Sequence, residues 1–408
     1  MADALIFDAV RTPRGRGLKP RDEKPGGALY PVLPQDLVGT LVDALRERLG
    51  AAAVNSARRL LLGCVGQVGD QGGHVALASR IAAGLPDAVV PKSINNFCVS
   101  GLSTVIEAAH WVQADEQGLC LAGGVEMMSR VPFLADRATW NTDPELIQRM
   151  GWLAPVLGAE LVATREGFTG PELDALVLRS HQRASAAWEA GHYKRSVIPV
   201  KDAEGEVLLE RDEWIRPNLT AEALAAMAPA FADLGASGQD ALALQAFPDL
   251  ATVEHVHTLA HCPGISDGAA LVVVGSEEAG RAAGLRPRAR IRAVAEAAGD
   301  ASLQFGAGLK AMDQVLERSG ASLNDMDLVE FMEAFAAPAL WFERRYEPDL
   351  ARVNVNGGHL AMGHPMGATG AILLTTLLDE LDRRDAETGL VVTLAGGGLG
   401  AALLIERV

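Results

Sequence analysis

Aromatic residues make up only 5% of this 408-residue chain, and basic residues are outnumbered, 36 Lys and Arg against 52 Asp and Glu. A formal net charge of −16 repels nucleic acid and anionic lipid, so neither is expected as a partner. An anionic ligand would need a local basic patch. The four cysteines, Cys64, Cys98, Cys120 and Cys262, form no CxxC pair and no zinc spacing. The N-terminal MADALIFDAVRTPRGRG lacks the basic-then-apolar layout of a secretory signal, so free thiols in a reducing cytoplasm are expected. The longest apolar run, Leu390–Ile405, is broken by glycines and falls short of the about 20 residues of a membrane helix.

What remains is rich in Ala, Val, Leu and 43 Gly. That composition indicates a globular α/β protein with small residues at tight contacts, long enough for two or three domains. Ala4–Ala9, Leu60–Val65, Val89–Phe97, Gly118–Gly123, Gly268–Gly275, Ala289–Ala298, Ala351–Val355, Gly389–Ala395 and Gly400–Glu406 read as strands or extended segments. Helical spacing is clearest at Gln35–Leu49, Ser100–Ala114, Gly306–Ser319 and Ala371–Arg384. The middle, about 128–256, carries Trp140, Trp152, Trp188 and Trp214 with charged helices such as Pro171–Gly191, and reads as an insertion over the core. Leu121-Ala122-Gly123-Gly124 recurs as Leu394-Ala395-Gly396-Gly397, each ending a strand that follows a helix. The repeated order of elements suggests a duplicated α/β unit.

Cys98 lies between an extended segment and a helix, where the helix dipole is expected to lower a thiol pKa. A buried structural cysteine fits the spacing equally. His364 sits in the Gly-rich Asn354–Gly370 segment, before Pro365 at a helix entrance that favours neutral imidazole. It reads as a base or as a plain loop histidine. Gly396–Gly400 falls between two apolar strands with no room for a helix, so it fits a turn offering N–H groups to an oxyanion better than a dinucleotide fingerprint. A nucleotide-dependent oxidoreductase is disfavoured on the same ground. Glu333 is expected as a first-turn carboxylate. His255, His257, His261 and Cys262 match no usual zinc spacing, so no metal is expected.

Taken in order, these segments resemble the thiolase family of coenzyme A-dependent acyltransferases. The resemblance runs through Val10–Pro13, Asn95–Gly101, Gly123–Arg130, Ser266–Ala270, Asn354–Gly370 and Gly396–Gly400, nearly the whole chain. It implies an α/β thiolase-like fold, two pseudo-symmetric βαβαβαββ halves in an α-β-α-β-α layering with a loop domain. The expected division is 1–128 with 259–285 for the first half, 129–258 for the loop domain and 286–408 for the second half. It implies Cys98 as acyl carrier, His364 as base and the Gly396 N–H as oxyanion donor. Arg216, Met227, Phe231, Ala334 and Phe335 match positions that contact coenzyme A. It also implies a homodimer or homotetramer in fatty acid metabolism, with coenzyme A and acyl-CoA as substrates and no covalently bound cofactor.

Three places depart from the family pattern. Leu394 stands where a second cysteine usually moves a proton at the substrate α-carbon, and Met332 stands where an Asn usually holds an oxyanion-site water. Small polar residues are usual where His261-Cys262-Pro263 stands. A missing general acid or base typically lowers rate by about 10²–10⁴-fold. The expected function is acyl transfer from acyl-CoA onto Cys98, then to coenzyme A (thiolysis) or to a carbon nucleophile (condensation). The alternative is a catalytically weakened homologue that binds acyl-CoA or a partner subunit. Cys262, His261, His359 and His364 are the candidates to replace the missing proton carrier.

Overall fold

A computed structural model describes residues 3–22, 24–114 and 118–408. Long apolar runs buried on both faces set the central strands. In the first half, Ser266–Gly275 pairs antiparallel with both Leu5–Arg11 and Leu119–Met127. Ala57–Gly63 then runs parallel to Leu119–Met127 and to Val90–Ile94. The second half repeats this order. Leu399–Arg407 pairs antiparallel with Ala289–Ala298 and Thr388–Ala395, and Leu328–Phe331 runs parallel to Thr388–Ala395. The half-sheets join at Leu5↔Arg290 and Ile6↔Ala289. The first half follows the βαβαβαββ order, and the second follows it with one strand missing.

The expected strand at Ala351–Val355 is reduced to one bridge, Val353 to Val329. Asn354 turns left-handed there, at φ 44°. Its side chain takes over the ladder, with Oδ1 accepting from Phe331 N at 2.8 Å and Nδ2 donating to Phe331 O at 2.9 Å. One side chain thus does the pairing of a fifth strand and frees the chain to turn toward His364.

The helices Ser100–Gln113 and Thr369–Arg384 form the middle layer, each touching strands of both halves. They approach through glycine. A Cβ on Gly370 would stand 2.4 Å from Leu102 N, and one on Gly101 2.8 Å from Gly367 O. The Pro34–Leu49 helix, with Pro34 at its first turn and Leu37, Leu41 and Leu45 on one face, covers the outer side of the first half. Gly306–Ser319 covers the second half. The long helix Gly170–Glu189 starts at a Thr169–Glu172 capping box and packs on the 354–362 loop, where Ser180 Oγ accepts from Gly358 N at 3.0 Å.

Candidate active site

The turn before the Ser100–Gln113 helix is held under strain. Phe97 adopts φ 48°, a conformation that costs a non-glycine residue about 1–3 kcal/mol. Asn95 Oδ1 accepts from Phe97 N at 3.1 Å, and Ser100 Oγ donates to Phe97 O at 2.6 Å while accepting from Asn96 N at 2.8 Å. This clamp sets Cys98 at the mouth of the helix. About 300 residues further along the chain, Gly397 and Gly398 take φ 74° and 75° in succession. That double left-handed turn aims the Gly396 amide at Cys98, so the Cys98 and Gly396 N–H groups both stabilise its thiolate. The expected lowering of the thiol pKa does not result. Burial and then the Glu126 carboxylate outweigh the amides and push Cys98 up to about 12. The resting group is a thiol that needs a base.

His364 is buried, and burial followed by the Arg14 charge brings its pKa down to about 3. The imidazole is neutral, as expected at a helix entrance, but burial is the main cause. Its helix begins at Thr369, after a short 3₁₀ turn over Met366–Ala368, rather than at Pro365. His364 Nδ1 lies 2.7 Å from Thr369 Oγ1, whose hydroxyl donates to Pro365 O at 3.2 Å. Nδ1 therefore carries the proton, and Nε2 is left as a lone pair with no hydrogen-bond partner among the described residues.

Glu126 joins the two reactive segments. Its buried carboxylate accepts from Val65 N, Gly66 N and Gly367 N at 2.9, 3.0 and 2.9 Å, and from Gln71 Nε2 at 2.7 Å. The sequence marked it only as part of a motif. Glu333 is not a simple first-turn carboxylate. It is buried and accepts from Ser180 Oγ, Leu360 N and Asn354 Nδ2, fixing the loop that leads to His364.

A narrow cavity of about 680 Å³, its open mouth included, lies beside Cys98 and is also lined by Gly396 and Met366. Arg216, Met227, Phe231, Ala334 and Phe335 do not line it. Arg216 is exposed, with its N–H on His181 Nδ1 at 3.1 Å, and Phe335 stands 5.6 Å from the Phe305 ring. Leu394 and Met332 are buried in the core and stand outside the cavity. The four histidines and one cysteine named from sequence near these positions separate clearly. His257 Nδ1 faces Glu160 at 2.7 Å, His255 Nε2 faces Asp240 at 3.1 Å and His261 Nε2 faces Asp174 at 2.8 Å. Among the described residues no group of three or more His, Cys, Asp or Glu is arranged to hold a metal. Cys262 points at Thr258 O. His359 alone stands against His364, ring to ring at 5.5 Å, with neither of its own nitrogens partnered among the described residues.

The thiolase N-terminal domain model matches residues 4–239, and the thiolase C-terminal domain model matches 285–407. The chain belongs to the thiolase family. It is 35% identical to a 3-ketoacyl-CoA thiolase of Cronobacter sakazakii and 34% identical to a beta-ketoadipyl-CoA thiolase of Pseudomonas putida, covering 100% of both chains in each case. Among solved structures it resembles the acetyl-CoA acetyltransferase of Bacillus anthracis, with a TM-score of 0.83, 32% identity and coverage of 100% of this chain and 99% of that one. This thiolase is an acyltransferase of acyl-CoA chemistry, on a thiolase fold. Among its described residues no helix is long and apolar enough to cross a membrane.

Proposed function

We propose that this thiolase splits 3-ketoacyl-CoA through an acyl-Cys98 intermediate. Cys98 Sγ attacks the 3-keto carbon as His364 Nε2 takes the thiol proton. The oxyanion draws on the Cys98 and Gly396 N–H groups. The C2–C3 bond then breaks, leaving the shortened acyl group on Cys98 and the enolate of acetyl-CoA. That enolate needs one proton, and the one held by His364 closes the balance. Coenzyme A next attacks the thioester, gives its thiol proton to His364 and releases acyl-CoA, and His364 returns the proton to Cys98. The reverse sequence is the condensation.

The observation that carries this reading is the pair of amides, from opposite halves of the chain, that stabilise one sulfur. Arg216, Met227, Phe231, Ala334 and Phe335 are proposed to hold the coenzyme, outside the cavity that holds the acyl group. Full-length similarity to relatives named as thiolases supports turnover over a binding-only role. Homodimeric or homotetrameric assembly, work in the cytoplasm and the absence of a bound cofactor complete the proposal.

The test is intact mass after mixing with acetoacetyl-CoA, with and without coenzyme A. The expected result is an acyl adduct that Cys98→Ala lacks and that coenzyme A discharges. An adduct of equal size on Cys98→Ala overturns it. Coenzyme A binding in calorimetry without any adduct or thiolysis would favour the binding-only role.

A further inference from the structure

The cavity beside Cys98 holds an observation that acyl transfer does not use. Its walls are largely apolar: Phe97, Trp140 and Trp152 form a contiguous aromatic side, with ring centroids 5.9 and 5.8 Å apart, and Leu134 and Met366 add to it. Four polar side chains line it: Asn95 and Asp136 are exposed, whereas Gln304 and Asn141 are buried. Gln304 is 1% exposed and Asn141 9%. Neither Gln304 Oε1 nor Asn141 Oδ1 has a hydrogen-bond partner among the described residues.

Gln304 is not free to turn. Its Nε2 donates to Leu153 O at 2.9 Å, so its oxygen must face the other way. Its backbone is held at φ 62°, and its amide is pressed against Gly158, where a Cβ would stand 2.8 Å from Gln304 Cδ. On the opposite side Oε1 lies 3.0 Å from where a Cβ of Gly396 would be. Gly396 is the residue whose amide faces the Cys98 sulfur. A buried carbonyl oxygen without a donor has given up its solvation with nothing in return. Here that group is locked, strained in its backbone and aimed at the space next to the thioester.

We propose that this pocket selects an acyl group longer than acetyl, apolar along most of its length, that carries a hydroxyl near the thioester and donates it to Gln304 Oε1. The aromatic side takes the apolar part, and Asn141 offers a second acceptor further along. This rests on acylation of Cys98 and names the substrate class of that site. No new bond chemistry is involved. The hydroxyl binds, and the acyl group passes from the CoA sulfur to Cys98 Sγ as before.

The experiment measures the rate of Cys98 acylation by intact mass, using acetyl-CoA, hexanoyl-CoA and 3-hydroxyhexanoyl-CoA. Hexanoyl is expected to load faster than acetyl, and 3-hydroxyhexanoyl about tenfold faster than hexanoyl, the value of one neutral hydrogen bond. In Gln304→Met the hydroxyl advantage should fall to within about twofold. Because Gln304 has a positive φ, which a Met also tolerates poorly, Gln304→Asn is the second variant, and it too should lose the advantage by withdrawing the oxygen. Trp140→Ala should lower the hexanoyl-to-acetyl ratio. Equal loading of hexanoyl and 3-hydroxyhexanoyl by the wild type, or the same preference in folded Gln304 variants, overturns the inference and leaves acylation standing. No loading by any of the three esters overturns both.

Discussion

Thr369 Oγ1 sits 2.7 Å from His364 Nδ1 and donates its own hydrogen bond to the Pro365 carbonyl. The hydroxyl therefore acts as an acceptor for the imidazole and fixes the tautomer whose Nε2 is bare. Without it, the proton can sit on Nε2, and the base points its wrong form at the thiol. Thr369→Val keeps the shape and removes the acceptor. Its kcat for thiolysis should fall by about 10²-fold, the size of a lost general base, with KM little changed. Thr369→Ser should recover most of it. Steady-state kinetics on the two variants checks this, and equal activity in Thr369→Val sinks it.

The Cys98 thiol, pushed up to about 12, should behave as a protonated group in the free enzyme. The fraction present as thiolate at pH 7 is then on the order of 10⁻⁵. Alkylation of Cys98 by iodoacetamide should be slow at pH 7 and climb with pH through 10, without a plateau near 8. The rate followed by mass spectrometry is the measurement. A plateau below pH 8 would mean that the amides of Cys98 and Gly396 outweigh burial.

Most strand and helix positions along the chain were legible because they rest on local patterns. Ala289–Ala298 and Gly306–Ser319 alternate or repeat as their burial demands, and the structure returns the same limits. Ala351–Val355 failed because Asn354 pairs through its side chain, which apolar run-length does not encode. Cys98 and His364 were picked out as candidates by their motifs, but the direction of the Cys98 shift was not legible there. A helix N-terminus is visible in sequence, whereas the depth of burial beside Glu126 is set by segments far away in the chain, those of Met366 and Gly396 among them. Gln304 gave no signal at all. It is one polar residue between Leu303 and Phe305, and its meaning comes from Leu153, Gly158 and Gly396, which meet it only in the fold.

His359 is wholly buried with both nitrogens unpartnered among the described residues, and its pKa is held well below the usual value by burial and then by Arg14. His359→Phe keeps a flat ring and removes two unsatisfied atoms. At pH 7 it should be more stable than the wild type by about 1–3 kcal/mol in urea unfolding. The pH dependence follows from the sign of the shift. The unfolded chain binds a proton on His359 below pH 6.5 and the folded chain does not, so the wild type loses stability as pH falls below that value. Asp267, pushed up to about 7 chiefly by burial, acts in the opposite direction. The difference between wild type and variant cancels that background. It should widen by about 1.4 kcal/mol per pH unit below pH 6.5. A gain in stability joined to a loss of thiolysis would show that His359 is kept for its chemistry beside His364.

Leu394 is buried at 1% exposure, pairs with Gly400 in the sheet and meets the Gly306–Ser319 helix, where a Cβ on Gly308 would stand 2.7 Å from Leu394 Cβ. The family resemblance puts a proton-carrying cysteine at this place. In the proposed cycle His364 alone moves the proton to the departing enolate, so a second carrier should relieve it. Leu394→Cys removes about two carbons' worth of packing, which costs about 1–2 kcal/mol of stability. Thiolysis of acetoacetyl-CoA should nevertheless rise, by up to about 10²-fold, because an acid at the α-carbon is worth about 10²–10⁴ in rate. Cys98 acylation by acetyl-CoA involves no α-carbon proton and should change by less than about threefold. A large change in both rates would mean that the substitution reshapes the Gly396 turn. An unchanged thiolysis rate in a folded variant would mean that His364 already completes the cycle without a partner at 394.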